Sequence, residues 1–165
     1  MDAKPKIRDA RYQATLQVLR TADTFWNTSR AFFQRWDISP SQFNVLNLLH
    51  GKPGGLSQTE LSRQLIMHRS NVTGLVDRLE KRGLVLRKDV ASDRRAYRVV
   101  LSAEGTELLN EILPEYHRGA EAVWDGLPAG EIATLLAALR KAAEKSEGMA
   151  AEGAGQAPQM QGPSA

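Results

Sequence analysis

The side chains best suited to recognition chemistry are concentrated in one basic stretch in the middle of the chain. Residues 57–98 contain ten Lys and Arg against five Asp and Glu, a net charge of +5, whereas the rest of the 165-residue chain carries −2. Such a concentration of positive charge favours an anionic partner, and nucleic acid fits best because arginine, asparagine and threonine can pair with bases and phosphates. A solvated face that is basic without a partner is the alternative.

Catalytic and metal-binding chemistry has few candidates. The chain has no cysteine, and its three histidines, His50, His68 and His117, are far apart. This composition excludes disulfides, thiolate metal sites and thiol redox sensing, and it does not predict a multi-histidine metal site. No nucleophile, base and orienting group converge, so we expect neither an enzyme nor a cofactor. No secretory segment and no apolar run of about 20 residues is present, which predicts a cytoplasmic protein without membrane contact.

Capping motifs and hydrophobic periodicity locate the helices that would position these side chains. Residues 7–36 carry an apolar stripe at helical spacing, and capping boxes open the next two helices at Ser39 and Ser57. After a turn at residues 66–67, a helix is predicted over 68–82, ended by Gly83. The residues predicted to face its core side are Val72, Leu75, Val76 and Leu79.

The second half of the predicted fold begins with a change to the two-residue period of strands. Residues 84–87 and 97–101 read as a hairpin with a long polar tip over 88–96. Helical period returns after Ser102. Pro114 could end or kink that helix, but Tyr116, Val123 and Trp124 indicate that it continues. A last amphipathic helix follows Pro128, and the Ala-, Gly- and Gln-rich residues 148–165 are expected to be a disordered tail.

A short helix, a turn, a second helix and a two-stranded hairpin predict a mainly α fold with a winged helix-turn-helix lobe. We expect an N-terminal dimerisation helix over 1–36, the DNA-binding lobe over 37–102 and C-terminal dimerisation helices over 103–147. The second helix of such a lobe fits the DNA major groove. The outward residues predicted to contact DNA from it are Arg69, Ser70, Asn71, Thr73, Gly74 and Arg78. Gly74 is either tolerated in the helix or required for close approach to the DNA backbone.

The hairpin tip supplies a second set of candidate DNA contacts. An arginine on a projecting ribbon can enter the narrow minor groove, and Asp93 can orient Arg95 there, with Arg94 beside it. A solvated charged loop is the alternative. Gln58 and Arg87 complete the candidate set.

The residues from Leu61 to Gly105, above all 71–85, Asp93-Arg94-Arg95 and 99–102, resemble the MarR family of winged-helix transcriptional regulators. The resemblance covers about residues 15–140. It implies an obligate homodimer formed by the first and last two helices, and repression relieved by a small aromatic or phenolic effector. It assigns the wing arginine to Arg95 and its partner to Asp93. His68 departs from the Ser, Asp or Asn usual at the helix start, which makes it a candidate phosphate contact.

The expected function is therefore that of a ligand-responsive repressor that binds double-stranded DNA at an inverted-repeat operator as a homodimer. A winged-helix module that uses its basic face for protein contacts is the alternative. The aromatic residues before Asn44 are expected mostly in the core or the dimer interface, and a minority could line the effector cleft. The effector-binding residues cannot be assigned from the sequence.

Overall fold

The computed structural model describes residues 8–65, 69–90 and 93–155. These ranges contain the following helices and strands in chain order: α1 (Arg8–Phe33), a 3₁₀ turn (Gln34–Trp36), α2 (Pro40–Leu49), β1 (Leu56–Ser57), α3 (Gln58–Leu65), α4 (Arg69–Lys81), β2 (Val85–Val90), β3 (Asp93–Leu101), α5 (Ala103–Val123) and α6 (Ala129–Gly155). The mainly α fold with a winged helix-turn-helix, α3 and α4 followed by the β2–β3 ribbon, is confirmed.

Both predicted capping boxes are confirmed. The Ser39 N–H donates to Gln42 Oε1 at 2.8 Å, and the Gln42 N–H donates to Ser39 Oγ at 3.2 Å. The Ser57 N–H donates to Glu60 Oε2 at 2.7 Å, and the Glu60 N–H donates to Ser57 Oγ at 3.2 Å. These reciprocal bonds satisfy N–H groups that have no partner inside the first helical turn, so α2 and α3 begin where the sequence predicts.

The wing is longer than predicted. The expected polar tip over 88–96 is wrong for its described residues, because β2 continues to Val90 and β3 begins at Asp93. Lys88 pairs with Arg98 and Asp89 with Tyr97, and the register shifts between Asp89 and Val90. Lys88 and Asp89 are exposed neighbours on β2, so this part of the strand lacks the apolar alternation by which strands are recognised. Residues 91–92 lie outside the described ranges.

A third strand, β1, was not expected from the sequence. Its two residues pair antiparallel with β3, Leu56 with Val99 and Ser57 with Arg98, which gives the sheet order β1-β3-β2. Two residues are too few to show a period of two, so this strand is fixed by its contact with β3.

The chain divides into two compact units, residues 1–114 and 115–165. The core of the first unit includes the four residues of α4 predicted to face inward, Val72, Leu75, Val76 and Leu79, each at most 6% exposed. Phe33 and Phe43 stack with ring centroids 4.4 Å apart and join the end of α1 to α2. The assignment of dimerisation regions and of the lobe over 37–102 stays a prediction.

The later helices settle two points left by the sequence. Pro114 lies inside α5, so the helix continues through it. α6 extends to Gly155, so the predicted disordered tail is wrong for residues 148–155; methionine, alanine and glutamate in this stretch favour a helix. Residues 156–165 lie outside the described ranges. Among the described helices, none combines the length and apolar character needed to cross a membrane.

Candidate nucleic-acid interface

Helix α4 presents a polar face opposite its buried one. Asn71 and Arg78 are exposed, and Thr73 and Gly74 are half-buried. A Cβ on Gly74 would meet nothing within 4 Å, so packing inside the protein does not require glycine there. Arg69 and Ser70 form the first turn of α4, and His68 lies outside the described residues. A helix that binds in the major groove typically contacts base edges through three or four outward-facing side chains near its start.

The other predicted contact residues lie on the β2–β3 ribbon that follows α4. Asp93, Arg94 and Arg95 are the first three residues of β3, and Asp93 pairs with Val90 at the end of β2. The backbone therefore places these residues at the outer end of the ribbon. Their roles as DNA contacts stay a prediction.

Arg87, also predicted to contact DNA, connects the wing to α4. Its guanidinium forms ion pairs with Asp77 and Glu80 of α4 and lies 4.9 Å from the centroid of the Tyr97 ring. Burial lowers the pKa of Arg87, but hydrogen bonds to Asp77 and Tyr97 raise the pKa by more, so the guanidinium stays charged. Because its side chain is only 25% exposed and engaged on two sides, Arg87 braces β2 against α4.

A stability measurement distinguishes this brace from a simple phosphate contact. Arg87→Ala leaves Asp77 and Glu80 adjacent without their shared cation, and we expect a loss of about 1–3 kcal/mol in the free energy of unfolding. Arg78→Ala, on the exposed face of the same helix, should stay within about 0.5 kcal/mol of the parent protein. Urea unfolding of both variants checks this, and equal stabilities would contradict the bracing role.

Three side chains from α3, α4 and β3 form a second connection between α4 and the ribbon. The Tyr97 hydroxyl on β3 donates to Gln58 Oε1 at 3.0 Å, and the Gln58 amide donates to Thr73 Oγ1 on α4. The structure therefore brings two predicted contact residues, Gln58 and Thr73, into direct contact. Tyr97 was not among the predicted site residues, because no motif or spacing in the sequence distinguishes it from the other residues of its strand.

Two further arginines of the basic stretch have partners inside the protein. Arg98 donates to the carbonyl oxygens of Gly54 and Gly55, both at 2.7 Å, and Arg82 donates to the carbonyl oxygens of Trp36 and Asp37. Besides Arg82, the exposed basic residues whose side chains are described in this stretch are Arg63, Arg78, Lys81 and Lys88. The positive charge available to a partner is thus smaller than the residue count suggests.

The carboxylate that caps α3 makes the stability of this region depend on pH. Hydrogen bonds from the Ser57 N–H and hydroxyl hold the pKa of Glu60 below its ordinary value of 4.5, with a smaller contribution from Arg98. Because the folded pKa is depressed, this stabilisation is present above pH 4.5 and is lost as the pH falls through the folded pKa.

Replacing Glu60 with a non-titrating acceptor should therefore remove a pH-dependent contribution. Glu60→Gln is expected to be less stable than the parent protein at pH 7, and the difference should shrink as the pH falls below 4.5. Urea unfolding at pH 7 and pH 3.5 measures this. Ser57→Ala should show a smaller pH effect, since the backbone hydrogen bond remains. A difference independent of pH would contradict the assignment.

A metal centre finds no support in the described part of the chain, where no three His, Cys, Asp or Glu side chains are grouped to hold an ion. The described part of the candidate site consists of a polar face of α4, the β2–β3 ribbon and the contacts that join them.

Comparison with known proteins gives a consistent result. The model of the MarR family matches residues 36–96, which span α2 to the first part of β3. The transcriptional repressor MprA of Escherichia coli (strain K12) is 34% identical over 98 residues, covering 59% of this chain and 56% of that repressor. The chain thus spans little more than half the length of this relative.

Two solved structures match most of the fold. The S. aureus MepR–DNA complex has a TM-score of 0.75 at 20% identity, covering 79% of this chain and 96% of that one. CouR from Rhodococcus jostii RHA1, bound to p-coumaroyl-CoA, has a TM-score of 0.72 at 22% identity, covering 79% and 91%. The family model thus matches the helix-turn-helix and the start of the wing, and both solved structures share the winged fold of this chain.

Proposed function

We propose that this protein is a transcriptional regulator that binds double-stranded DNA in a sequence-specific manner as a homodimer on an inverted-repeat operator. The observation that carries the proposal is α4: its four apolar residues are buried while Asn71 and Arg78 remain exposed beside an extended two-stranded ribbon. This is the arrangement by which a helix enters the major groove while a wing reaches the adjacent minor groove. We propose no catalytic activity for it.

The candidate residues divide into base contacts and backbone contacts. Arg69 and Asn71 would read guanine and adenine in the major groove, and Thr73 would contact a thymine methyl there. Arg95, oriented by Asp93, would enter the minor groove. The residues assigned to phosphates or to close approach are Gln58, His68, Ser70, Gly74, Arg78 and Arg94. Arg87 would act indirectly, since it holds the ribbon against α4.

The similar proteins support repression and control by a small effector. MprA is a transcriptional repressor, MepR was solved on DNA, and CouR was solved with an aromatic thioester. In this chain an open groove of about 570 Å³ lies between the end of α1 and the start of α2. Its lining residues are Arg30, Ala31, Gln34, Asp37, Ile38, Ser39, Pro40 and Gln42. The lining combines one arginine and one aspartate with apolar and uncharged polar groups, and the volume is within the usual range for ligand sites, so we propose this groove as the place where a small aromatic effector binds.

Selection of bound sequences from random duplexes tests the proposal. We expect a consensus with a two-fold axis and half-site centres about 10 base pairs apart. Asn71→Ala should relax the preference at one position of each half-site, because an asparagine that reads a base contributes about 1–3 kcal/mol of discrimination.

Salt dependence separates this function from the alternative of a protein-interaction module. The logarithm of affinity should fall with the logarithm of salt concentration by about 0.9 per phosphate contacted. A flat salt profile together with no enriched sequence would overturn the proposal and favour the protein-interaction module.

A further inference from the structure

We propose that Tyr97 is a positioning residue for base recognition: acting through Gln58, it fixes the orientation of Thr73 on α4 and thereby sets a base preference in each half-site. The inference rests on the proposed function, because a preference can be measured only in a protein that reads DNA. It differs from that proposal in assigning a role in specificity to a residue that need not touch DNA.

The hydrogen bonds run in one direction through the three side chains. The Tyr97 hydroxyl donates to Gln58 Oε1 at 3.0 Å, so the amino end of the same amide is turned toward Thr73 and donates to its Oγ1. All three residues are half-buried. Threonine is branched at Cβ and has few χ1 rotamers; once Oγ1 is held, its γ-methyl has a single position.

The aromatic ring and the hydroxyl of Tyr97 make different contacts. The ring lies against the Arg87 guanidinium, which is paired with Asp77 and Glu80 in the second half of α4. The hydroxyl reaches Thr73, one helical turn earlier, through Gln58. Removing only the hydroxyl should therefore loosen the Gln58 amide that holds Thr73. It also removes the hydrogen bond between Tyr97 and Arg87, but the ion pairs of Arg87 with Asp77 and Glu80 keep the wing against α4.

The consequence for recognition follows from the place of Thr73 on the helix. It is close to the start of α4, between the exposed Asn71 and the half-buried Gly74, where side chains of a recognition helix approach base edges. A threonine methyl in a fixed position can pack against the thymine methyl, whereas a threonine with several rotamers discriminates less between bases. We therefore expect the preference controlled by Tyr97 to lie at one position of each half-site.

The test compares Tyr97→Phe with the parent protein by selection from random duplexes, followed by titration of the selected consensus and of a random duplex. Tyr97→Phe should flatten the preference at one position and weaken binding to the consensus about 3- to 10-fold, the effect of one lost discriminating contact. Affinity for the random duplex and its salt dependence should stay unchanged. Tyr116→Phe, the same change on α5, serves as the matched control and should keep the parent's preference.

Two further variants connect the effect to Thr73. The double variant Tyr97→Phe/Thr73→Val should bind the consensus no more weakly than Thr73→Val alone, because the two residues act through one contact. Gln58→Ala should flatten the same position, and it carries the test if Tyr97→Phe proves unstable by thermal unfolding.

The outcomes are distinguishable. If the parent selects a consensus and Tyr97→Phe keeps its preference at every position, this inference is overturned and the proposed function stands. Equal weakening on the consensus and on the random duplex would make Tyr97 a structural residue only, which also overturns it. If the parent selects no consensus, the proposed function fails and the inference fails with it.

Discussion

Gly105→Ala is expected to destabilise the protein by about 3 kcal/mol or more and to lower the melting temperature by roughly 6–12 °C, the scale for backbone overpacking in a chain of this size. Gly105 is buried in the first turn of α5, and an added Cβ would lie 1.9 Å from the carbonyl oxygen of Leu84. That atom belongs to the backbone turn between α4 and β2, so it cannot move aside as a flexible side chain would.

Local hydrogen bonds explain why this approach is so close. Ser102 caps α5 by accepting from the Gly105 N–H at 2.8 Å, and its hydroxyl donates to the Gly83 carbonyl oxygen at 2.6 Å. The Ser102 N–H also donates to the Leu84 carbonyl oxygen at 3.2 Å. The start of α5 is thereby fixed against the turn that follows α4, and only a residue without Cβ fits between them.

The matched control lies in the same helix. A Cβ at Gly119 would meet nothing within 4 Å, so Gly119→Ala should instead raise stability by about 0.4–1 kcal/mol through the lower entropy of the unfolded chain. Both variants should be unfolded thermally at one protomer concentration, because association shifts the apparent stability. Similar small effects at both positions would contradict the close approach of α5 to the α4–β2 turn.

What the sequence predicts well here is local. The inward face of α4 follows from apolar residues three and four apart, and the starts of α2 and α3 follow from serine caps with partners three residues later. Such signals need no knowledge of the rest of the chain. β1, in contrast, exists only because β3 lies beside it, and its two residues have no pattern of their own.

In the candidate site, too, the sequence predicts local features but not the contacts between distant parts of the chain. The sequence places Asn71, Arg78 and Arg87 in one group of candidate contacts, because an exposed and an engaged arginine have the same sequence signature. Only the fold shows that Arg87 lies over the Tyr97 ring between two acidic residues of α4. The contact from Tyr97 to Gln58 joins residues 39 apart in the sequence, a separation at which neither spacing nor residue type indicates a neighbour.

The second large effect is expected at the apolar stripe of α6. Leu135, Leu136 and Leu139 are 41%, 46% and 37% exposed, and with Ile132 they occupy one face of the helix at spacings of three and four. A single chain gains nothing from leaving such a stripe in water, and contiguous exposed apolar surface is typical of an interface. For the proposed homodimer, a second copy of this helix region is the natural cover.

Leu136→Glu should therefore convert the dimer into a monomer. In an isolated chain the charge would be solvated and the fold retained, whereas in a dimer interface it would be buried without a partner, at a cost of several kcal/mol. Light scattering after size exclusion should show half the parent mass. Operator affinity should fall about 100-fold or more, because each recognition helix then binds its half-site without the gain from the other.

Ala137→Glu is the control that shows whether the effect of Leu136→Glu depends on where the new charge lies on α6. Ala137 is exposed on the other side of α6, so the same substitution there should leave both mass and operator affinity close to those of the parent. The unfolding transition of Leu136→Glu at low concentration shows whether the monomer remains folded. A Leu136→Glu protein that keeps the dimer mass and full operator affinity would mean that the α6 stripe faces something other than a second copy. In that case the α1 stripe, where Tyr12, Leu19 and Trp26 are also exposed, becomes the place to seek the dimer contact.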